Sequence, residues 1–242
     1  KISGITFNDN GVEKNTGPSE SLSRDLSIPS PYLLGYFENM FDDFRSNQNY
    51  GLSAIWETNR GCPYKCTFCD WGDAYFQKLK QADIEKLKDE IEYFGSNGFN
   101  LIYSADANFG LIEKDLALAK HLASVKKIYG SPEQFWTNDA KFANDRVFEI
   151  NKILYQANLN QGATLSMQSL NADTLKAIKR PSYSTEKYGE IKKEYKENNI
   201  PTYTELILGM PNETKNTWTR GYGRLLETGH HEDIRFYHAS LE

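Results

Sequence analysis

The chain contains 242 residues, of which 39% are hydrophobic and 25% charged, and this balance is typical of a globular protein with one sizeable core. Its formal net charge of −5 argues against a protein built to coat nucleic acid, although binding of a single RNA loop through a local basic patch stays compatible with it. The sequence contains no apolar run long enough to span a bilayer and opens with no signal sequence, so we predict a cytoplasmic protein that does not enter a membrane.

The first 50 residues differ in character from the rest. Residues 1–30 are polar and rich in Ser, Asn, Gly and Pro, which is typical of an extension or linker. Apolar residues at helical spacing over residues 33–44 predict one helix that covers an end of a domain. We therefore assign residues 1–50 to an N-terminal extension and residues 51–242 to the main domain. Because the chain starts at Lys1 rather than Met, we expect the natural protein to begin upstream.

From residue 51 onward, short β-rich segments alternate with helical patterns. Strands are predicted over residues 51–57, 99–106, 133–139, 162–169, 200–209 and 233–240. The helices between them include two with predicted N-caps, Asp83 and Asn171. Such alternation demands parallel strands joined by right-handed crossovers. The pattern predicts an α/β fold, either a partial (β/α)6 barrel with outer helices or an open doubly wound sheet, with function at the carboxyl ends of the strands. No helix follows the sixth strand, so we expect the natural chain to continue past Glu242.

All three cysteines, Cys62, Cys66 and Cys69, lie in one loop directly after the first predicted strand, with the spacing C-x3-C-x2-C. An odd, tightly spaced set indicates a metal or catalytic site in a reducing compartment rather than disulfides. Zinc sites usually have four closed ligands, and no histidine shows a paired spacing with this loop. A bacterial ferredoxin run does not fit either, because its fourth cysteine is missing. Three thiolates suit a [4Fe–4S] cluster that keeps one iron open for a ligand.

The segment CPYKCTFC resembles the signature of the radical S-adenosylmethionine (SAM) superfamily, C-x3-C-x-aromatic-C, with Phe68 at the aromatic position. The resemblance spans about residues 51–240 and implies a partial (β/α)6 barrel in which the open iron binds the amine and carboxylate of SAM. It implies an enzyme that reductively cleaves SAM into methionine and a 5′-deoxyadenosyl radical, which abstracts hydrogen from a small-molecule or peptide substrate. The implied electron donor is an external reductant such as flavodoxin or ferredoxin. The alternative is a non-catalytic iron–sulfur or zinc-binding module.

The same resemblance implies that SAM is held at the ends of later strands. Asp106 follows the second strand, where the family has a Gly-Gly-Glu-like motif, and is the expected partner of the SAM ammonium, with a simple Asx turn as the alternative. Alternation along the fourth strand directs Ser166 and Gln168 to one face, where the family binds the ribose and carboxylate. Gly209 would let the backbone approach the adenine, and Tyr237 would line the adenine pocket. The predicted SAM-binding set is Phe68, Asp106, Ser166, Gln168, Gly209 and Tyr237, with no catalytic residue assigned.

Within the superfamily, the segments ETNRGCPYKCTFCDWG, DANFG and MQSLNADTLKAIKRPS resemble most the group that carries an upstream cobalamin-binding domain. That group transfers methyl groups to unactivated carbons or rearranges rings. The cobalamin signature D-x-H-x-x-G does not occur in this chain, so any cobalamin would be bound by a domain outside it. The resemblance therefore predicts a radical SAM enzyme, with cobalamin-dependent methyl transfer and ring rearrangement as its candidate reactions.

Overall fold

The computed structural model describes residues 3–18, 26, 28–41, 51–69, 71, 78–140, 145–229 and 232–239. The strands within these ranges are β1 (Thr6–Asp9), β2 (Val12–Asn15), β3 (Ser53–Trp56), β4 (Asn59–Arg60), β5 (Lys80–Gln81), β6 (Leu101–Ser104), β7 (Gln134–Trp136), β8 (Ala163–Thr164), β9 (Thr202–Leu208) and β10 (Asp233–His238). The helices are α1 (Ile84–Ser96), α2 (Lys114–Tyr129), α3 (Asp145–Gln156), α4 (Ala172–Ala177), α5 (Thr185–Glu197) and α6 (Lys215–Glu227). Within the described ranges, no helix has the length and apolar character needed to cross a bilayer.

All six predicted strands form, and they pair in parallel as expected. The first sheet has the order β3-β6-β7 and the second has the order β10-β9-β8. Helices connect successive strands, so the carboxyl ends of each sheet's strands lie at one edge. Both predicted N-caps are confirmed. The Asp83 carboxylate accepts from the backbone of Glu85 and Lys86, and the Asn171 side chain accepts from the backbone of Asp173.

Each sheet packs against its own helices through its own core. The core of the first sheet is rich in aromatic residues, and the rings of Phe94 and Phe99 lie 5.1 Å apart. The core of the second sheet combines aliphatic residues with the buried rings of Tyr188 and Tyr195. Trp56 lies at the centre of the first core, and its indole N–H donates to the buried Glu90 carboxylate at 2.8 Å. The fold is therefore mixed α/β with two parallel three-stranded sheets.

The described residues do not form one continuous parallel sheet from the first strand to the sixth, because no ladder joins β7 to β8. A side chain occupies the seam instead. Asp139, which follows β7, accepts from the backbone N–H of Thr164 in β8 at 3.1 Å and from Asn151 of α3 at 3.3 Å. A carboxylate thus replaces the backbone hydrogen bonds that would have joined the two sheets.

Part of the N-terminal segment forms regular structure. β1 and β2 form an antiparallel hairpin, and Asn10 and Gly11 at its turn both have positive φ angles of 55° and 88°. This Asn-Gly pair is the strongest short hairpin signal in a sequence, and the polar composition concealed it. Of the helix predicted over residues 33–44, residues 38–41 are helical and residues 42–44 lie outside the described part of the chain.

Candidate active site

The cysteine loop begins directly after β4. Cys62 and Cys66 are 1% and 3% exposed, whereas Cys69 is partly exposed, and none of the three is in a disulfide. The antiparallel pair β4–β5 joins the two ends of residues 61–79, and the backbone N–H of Thr67 donates to Ile178 at 3.1 Å. The loop is therefore anchored both to its own ends and to the segment after α4.

The three thiols do not form a closed single-ion site. Within the described ranges, no three Cys, His, Asp or Glu side chains are arranged to hold one metal ion. An iron–sulfur cluster needs a different arrangement of ligands, because each thiolate binds a separate iron atom of the cluster. The arrangement gives no support to the zinc alternative, and three cysteine sulfurs in one anchored loop suit a cluster.

Asp106 supports the segment before the cysteines. Its carboxylate is 0% exposed and accepts from the backbone N–H groups of Thr58 and Asn59 at 2.8 and 3.0 Å. The Thr58 hydroxyl and the Asn59 amide also donate to it, at 2.5 and 3.1 Å. Burial raises the pKa of this carboxyl, and the hydrogen bonds oppose that shift. Both oxygens accept hydrogen bonds from the segment before the cysteines, so Asp106 positions that segment, and its contact with the SAM ammonium stays a prediction.

Asn108, two residues further, contacts the cysteine site directly. Its Nδ2 lies 3.2 Å from the Sγ of Cys62, and its Oδ1 is buried without a hydrogen-bond partner among the described residues. Asp115, in the first turn of α2, accepts from the backbone N–H of Gly110 at 2.8 Å, and burial raises its pKa to about 7. The loop after β6 therefore brings an unsatisfied amide oxygen beside a buried cysteine.

A cavity of about 240 Å³, the upper cavity, lies at the carboxyl ends of the strands and reaches the cysteine loop. Trp71 and Ala107 line it on the cysteine side, and Ser166, Gln168 and Glu205 line it on the second sheet. The structure thus brings the predicted Ser166 and Gln168 together. Ser166 donates its hydroxyl to Glu205 Oε2 at 2.6 Å.

Arg180 was missed from the sequence and is the main cation of this cavity. It is only 6% exposed, its guanidinium donates to the Ser166 carbonyl at 2.9 Å, and its Nε is buried without a partner among the described residues. It follows the short helix α4, so no periodic pattern distinguishes it from the neighbouring Lys179. Its only sequence signal is its place in the segment MQSLNADTLKAIKRPS.

The other predicted SAM residues lie further from these groups. Tyr237 is 48% exposed, and its hydroxyl reaches Glu205 Oε1 only at 3.5 Å. Gly209 ends β9 with φ of +85°, a backbone conformation that glycine adopts without strain, and its missing Cβ would meet only Ala239 at 3.8 Å. Phe68 is 37% exposed beside Cys69. None of the three is locked by a close protein contact at its functional face.

A second cavity of about 580 Å³, the lower cavity, lies between the sheets towards the amino ends of β8, β9 and β10. It shares Thr137, Asp139, Thr164 and Tyr203 with the upper cavity. At this junction, burial raises the pKa of Asp139 to about 6, and the Thr137 hydroxyl is buried without a partner within the described ranges. The space between the sheets therefore continues from the cysteine loop to the opposite end of the strands.

The segment after β9 is braced by a carboxylate. Glu213 accepts the Ser169 hydroxyl at 2.7 Å, and burial raises its pKa. Thr214 then caps α6 in a reciprocal capping box with Thr217. These contacts join the ends of β8 and β9 and hold the polar wall of the upper cavity in place.

Two curated methyltransferases are similar to nearly the whole chain. The chain is 44% identical over 238 residues to the 2-(S-pantetheinyl)-carbapenam-3-carboxylate methyltransferase of Streptantibioticus cattleyicolor, a match that covers 98% of this chain and 35% of the relative. It is also 44% identical over 232 residues to the cobalamin-dependent radical SAM methyltransferase TokK of Streptomyces tokunonensis, with 96% and 34% covered. The chain thus spans about a third of the length of these curated relatives.

A solved structure shows the same fold. The radical S-adenosylmethionine methyltransferase TsrM from Kitasatospora setae superposes with a TM-score of 0.67 at 18% identity, covering 97% of this chain and 46% of that chain. A family model for the Radical SAM superfamily matches residues 56–220, which include the cysteine loop, the strands from β4 to β9 and the first turns of α6. The chain belongs to the radical SAM superfamily.

Proposed function

We propose that this chain is the catalytic core of a cobalamin-dependent radical SAM methyltransferase. Residues 51–242 would form this core, in which the two sheets are the halves of a partial (β/α)6 barrel, and residues 1–50 an extension. The main support is the meeting of three cysteines with a polar cavity at the carboxyl ends of parallel strands, in a chain 44% identical to two methyltransferases. Cobalamin would be held by a domain outside these residues.

The cysteine loop fits a [4Fe–4S] cluster. Cys62, Cys66 and Cys69 would ligate three irons, and the buried Asn108 amide stands where it can donate to the first of these thiolates. When bound, the cluster supplies the electron that cleaves SAM to methionine and a 5′-deoxyadenosyl radical. The β4–β5 pair and Asp106 keep the loop closed around this position, and the burial of Cys62 and Cys66 keeps water away from it.

The unsatisfied polar atoms beside the cysteines suit the charged end of SAM. The guanidinium of Arg180 would bind the SAM carboxylate, because it is a buried cation with an unused Nε donor. The orphaned Oδ1 of Asn108 would accept from the SAM ammonium, the role that the sequence suggested for Asp106.

The nucleoside end of SAM would lie along the second sheet. Ser166 and Glu205 offer a hydroxyl and a carboxylate to the ribose, and Gln168 adds an amide on the same wall. The exposed ring of Tyr237, the ring of Phe68 and the backbone at Gly209 remain our candidates for contact with the adenine.

The substrate would be a small organic molecule that approaches from the junction of the two cavities, where Thr137 and Asp139 present polar groups to it. The first relative acts on a carbapenam carboxylate, and we propose a related small-molecule acceptor here, with a flavodoxin or ferredoxin as electron donor. The larger space beyond the junction has a volume within the range of roughly 300–1,000 Å³ typical of ligand pockets.

The test is anaerobic incubation of the iron–sulfur-reconstituted protein with SAM, a strong reductant and methylcobalamin. We expect 5′-deoxyadenosine from the protein and none from the variant in which all three cysteines are alanine. The matched control S124A changes an exposed hydroxyl on α2 and should keep full product formation. Absence of product from protein with a full iron and sulfide content would reject the enzyme and favour a non-catalytic metal-binding module.

A further inference from the structure

Asn108 makes a hydrogen bond to a cysteine sulfur in an environment closed to water. Its Nδ2 lies 3.2 Å from Cys62 Sγ, and both residues are only 1% exposed. A thiolate that ligates iron has no proton to donate, so the amide must present its N–H to the sulfur and turn its oxygen away. The contact is therefore directional, and it is shielded from competing water.

The backbone directly after Asn108 is fixed by the fold. The N–H of Phe109 donates to Asn138 at 2.8 Å, and the N–H of Gly110 donates to the Asp115 carboxylate at the same distance. The Phe109 ring is buried and packs edge-on against Phe135 at 5.2 Å. Because these anchors follow Asn108 immediately, they limit the positions that its side chain can reach.

The partner sulfur is fixed by the same loop. Asp106 accepts four hydrogen bonds from Thr58 and Asn59, which lie just before the cysteine loop. One loop therefore holds the chain leading to Cys62 through Asp106 and contacts its sulfur through Asn108. The N–H···S contact therefore joins the connection between β3 and β6, which carries Cys62, to the loop after β6, which carries Asn108.

We propose that Asn108 raises the reduction potential of the iron–sulfur cluster through this hydrogen bond. Reduction adds one negative charge to the cluster, and hydrogen bonds to the sulfurs are among the factors that set cluster potentials. A donor at a cysteine sulfur stabilises the more negative, reduced state, and it does so more strongly in a buried, low-dielectric site. Asn108 acts as a positioning and tuning residue here, and the inference rests on the cluster of the proposed function.

The experiment is a redox titration of reconstituted protein without SAM, followed by electron paramagnetic resonance of the reduced cluster. N108L removes the donor at similar volume, and N108D keeps the shape but replaces the donor with a carboxylate. We expect the midpoint potential to fall in the order wild type, N108L, N108D, with unchanged iron and sulfide content. Leaving SAM out separates this effect from any role of Oδ1 in SAM binding.

N138L is the matched control. Asn138 donates to the backbone of Asp106 on the same loop, at 3.3 Å, without a hydrogen bond to a cysteine, so its potential should match the wild type. Equal potentials in wild type and both Asn108 variants would overturn the proposal. So would loss of iron from both variants, or an equal shift in N138L, because each would make Asn108 a support of the loop only. A wild-type protein that binds no cluster would instead refute the proposed function.

Discussion

The two sheets differ most on the faces that they turn towards each other. On the first sheet, Ile55, Tyr103 and Trp136 lie in register across β3, β6 and β7, and they are 71%, 42% and 52% exposed. On the second sheet, the side chains lining the facing cavities are polar or charged: Thr164, Ser166, Gln168, Tyr203, Glu205 and Arg235. The first sheet thus contributes apolar surface from its strands and polar groups from its loops, whereas the second contributes polar groups from the strands themselves.

This difference separates two tasks. The loops of the first sheet hold the cysteines through buried hydrogen bonds that leave little freedom, as the four donors on Asp106 illustrate. The wall of the second sheet keeps donors and acceptors with spare capacity, such as Arg180. The first region is built to fix atoms of the protein, and the second leaves hydrogen-bonding capacity for a ligand.

The largest loss of stability should follow from a change in the loops of the first sheet. D106A leaves four donors of Thr58 and Asn59 without their acceptor, so we expect a loss of about 4 kcal/mol in the free energy of unfolding. The protein should also retain less iron after reconstitution. Denaturant unfolding and iron analysis measure both effects. The control D173A removes an exposed carboxylate in α4 and should change stability by less than about 0.5 kcal/mol. Full iron content in D106A would show that the cysteine loop does not depend on this carboxylate.

A smaller loss of stability should follow from a change at the seam between β7 and β8. D139A removes the acceptor that Thr164 and Asn151 share, and we expect a loss of about 2 kcal/mol. Hydrogen exchange should show faster exchange of the Thr164 amide, with little change at Ile102 in the first sheet. An unchanged Thr164 amide would mean that the sheets are joined by other contacts.

The same carboxylate makes the seam dependent on pH. Burial raises its pKa from the usual 3.8 to about 6, so the folded state binds the proton more tightly than the unfolded state. This contribution to stability is complete below about pH 4 and is lost as the pH rises through about 6. Relative to D139N, the wild type should therefore lose about 1–2 kcal/mol over that interval in denaturant titrations. A difference that is constant with pH would contradict the assignment.

The smallest effect should come from the outer part of the second sheet. The Tyr237 hydroxyl makes only a long contact of 3.5 Å with Glu205, so Y237F should change SAM affinity by less than about twofold. Y237A also removes the ring proposed to contact the adenine and should weaken SAM binding several-fold. Isothermal titration of the reconstituted protein distinguishes the two. Equal affinities for both variants would remove Tyr237 from the SAM site.

Sequence periodicity was sufficient to predict the strands and helices, but not to predict which strands pair with each other. The six parallel strands and the caps at Asp83 and Asn171 follow from local patterns, and each is present. Local patterns could not predict the gap between β7 and β8. It depends on a contact between residues far apart in the sequence, the hydrogen bond from the Thr164 backbone to Asp139. The β4–β5 pair was missed for a similar reason, since two-residue strands carry no periodic signal.

The candidate site shows the same limit. Cysteine spacing identified the cluster loop, and strand alternation grouped Ser166 with Gln168 on one wall. The roles of Asp106 and Asn108 were not separable by sequence, because both are short polar residues in one loop. Only the fold shows that Asp106 faces Thr58 and Asn59 while Asn108 faces Cys62. Arg180 became a candidate once its burial was known.

The short β4–β5 pair has a consequence for loop entropy. By pairing Asn59–Arg60 with Lys80–Gln81, it brings the two ends of the loop of residues 61–79 together through backbone hydrogen bonds, so the entropy cost of closing this loop is part of folding. The entropy cost of closing a loop grows slowly, by about 0.6 kcal/mol for each doubling of its length. We therefore expect insertions between Cys69 and Lys80 to reduce the stability of the fold only slightly. The length of this loop can therefore vary among related proteins without displacing the cysteines.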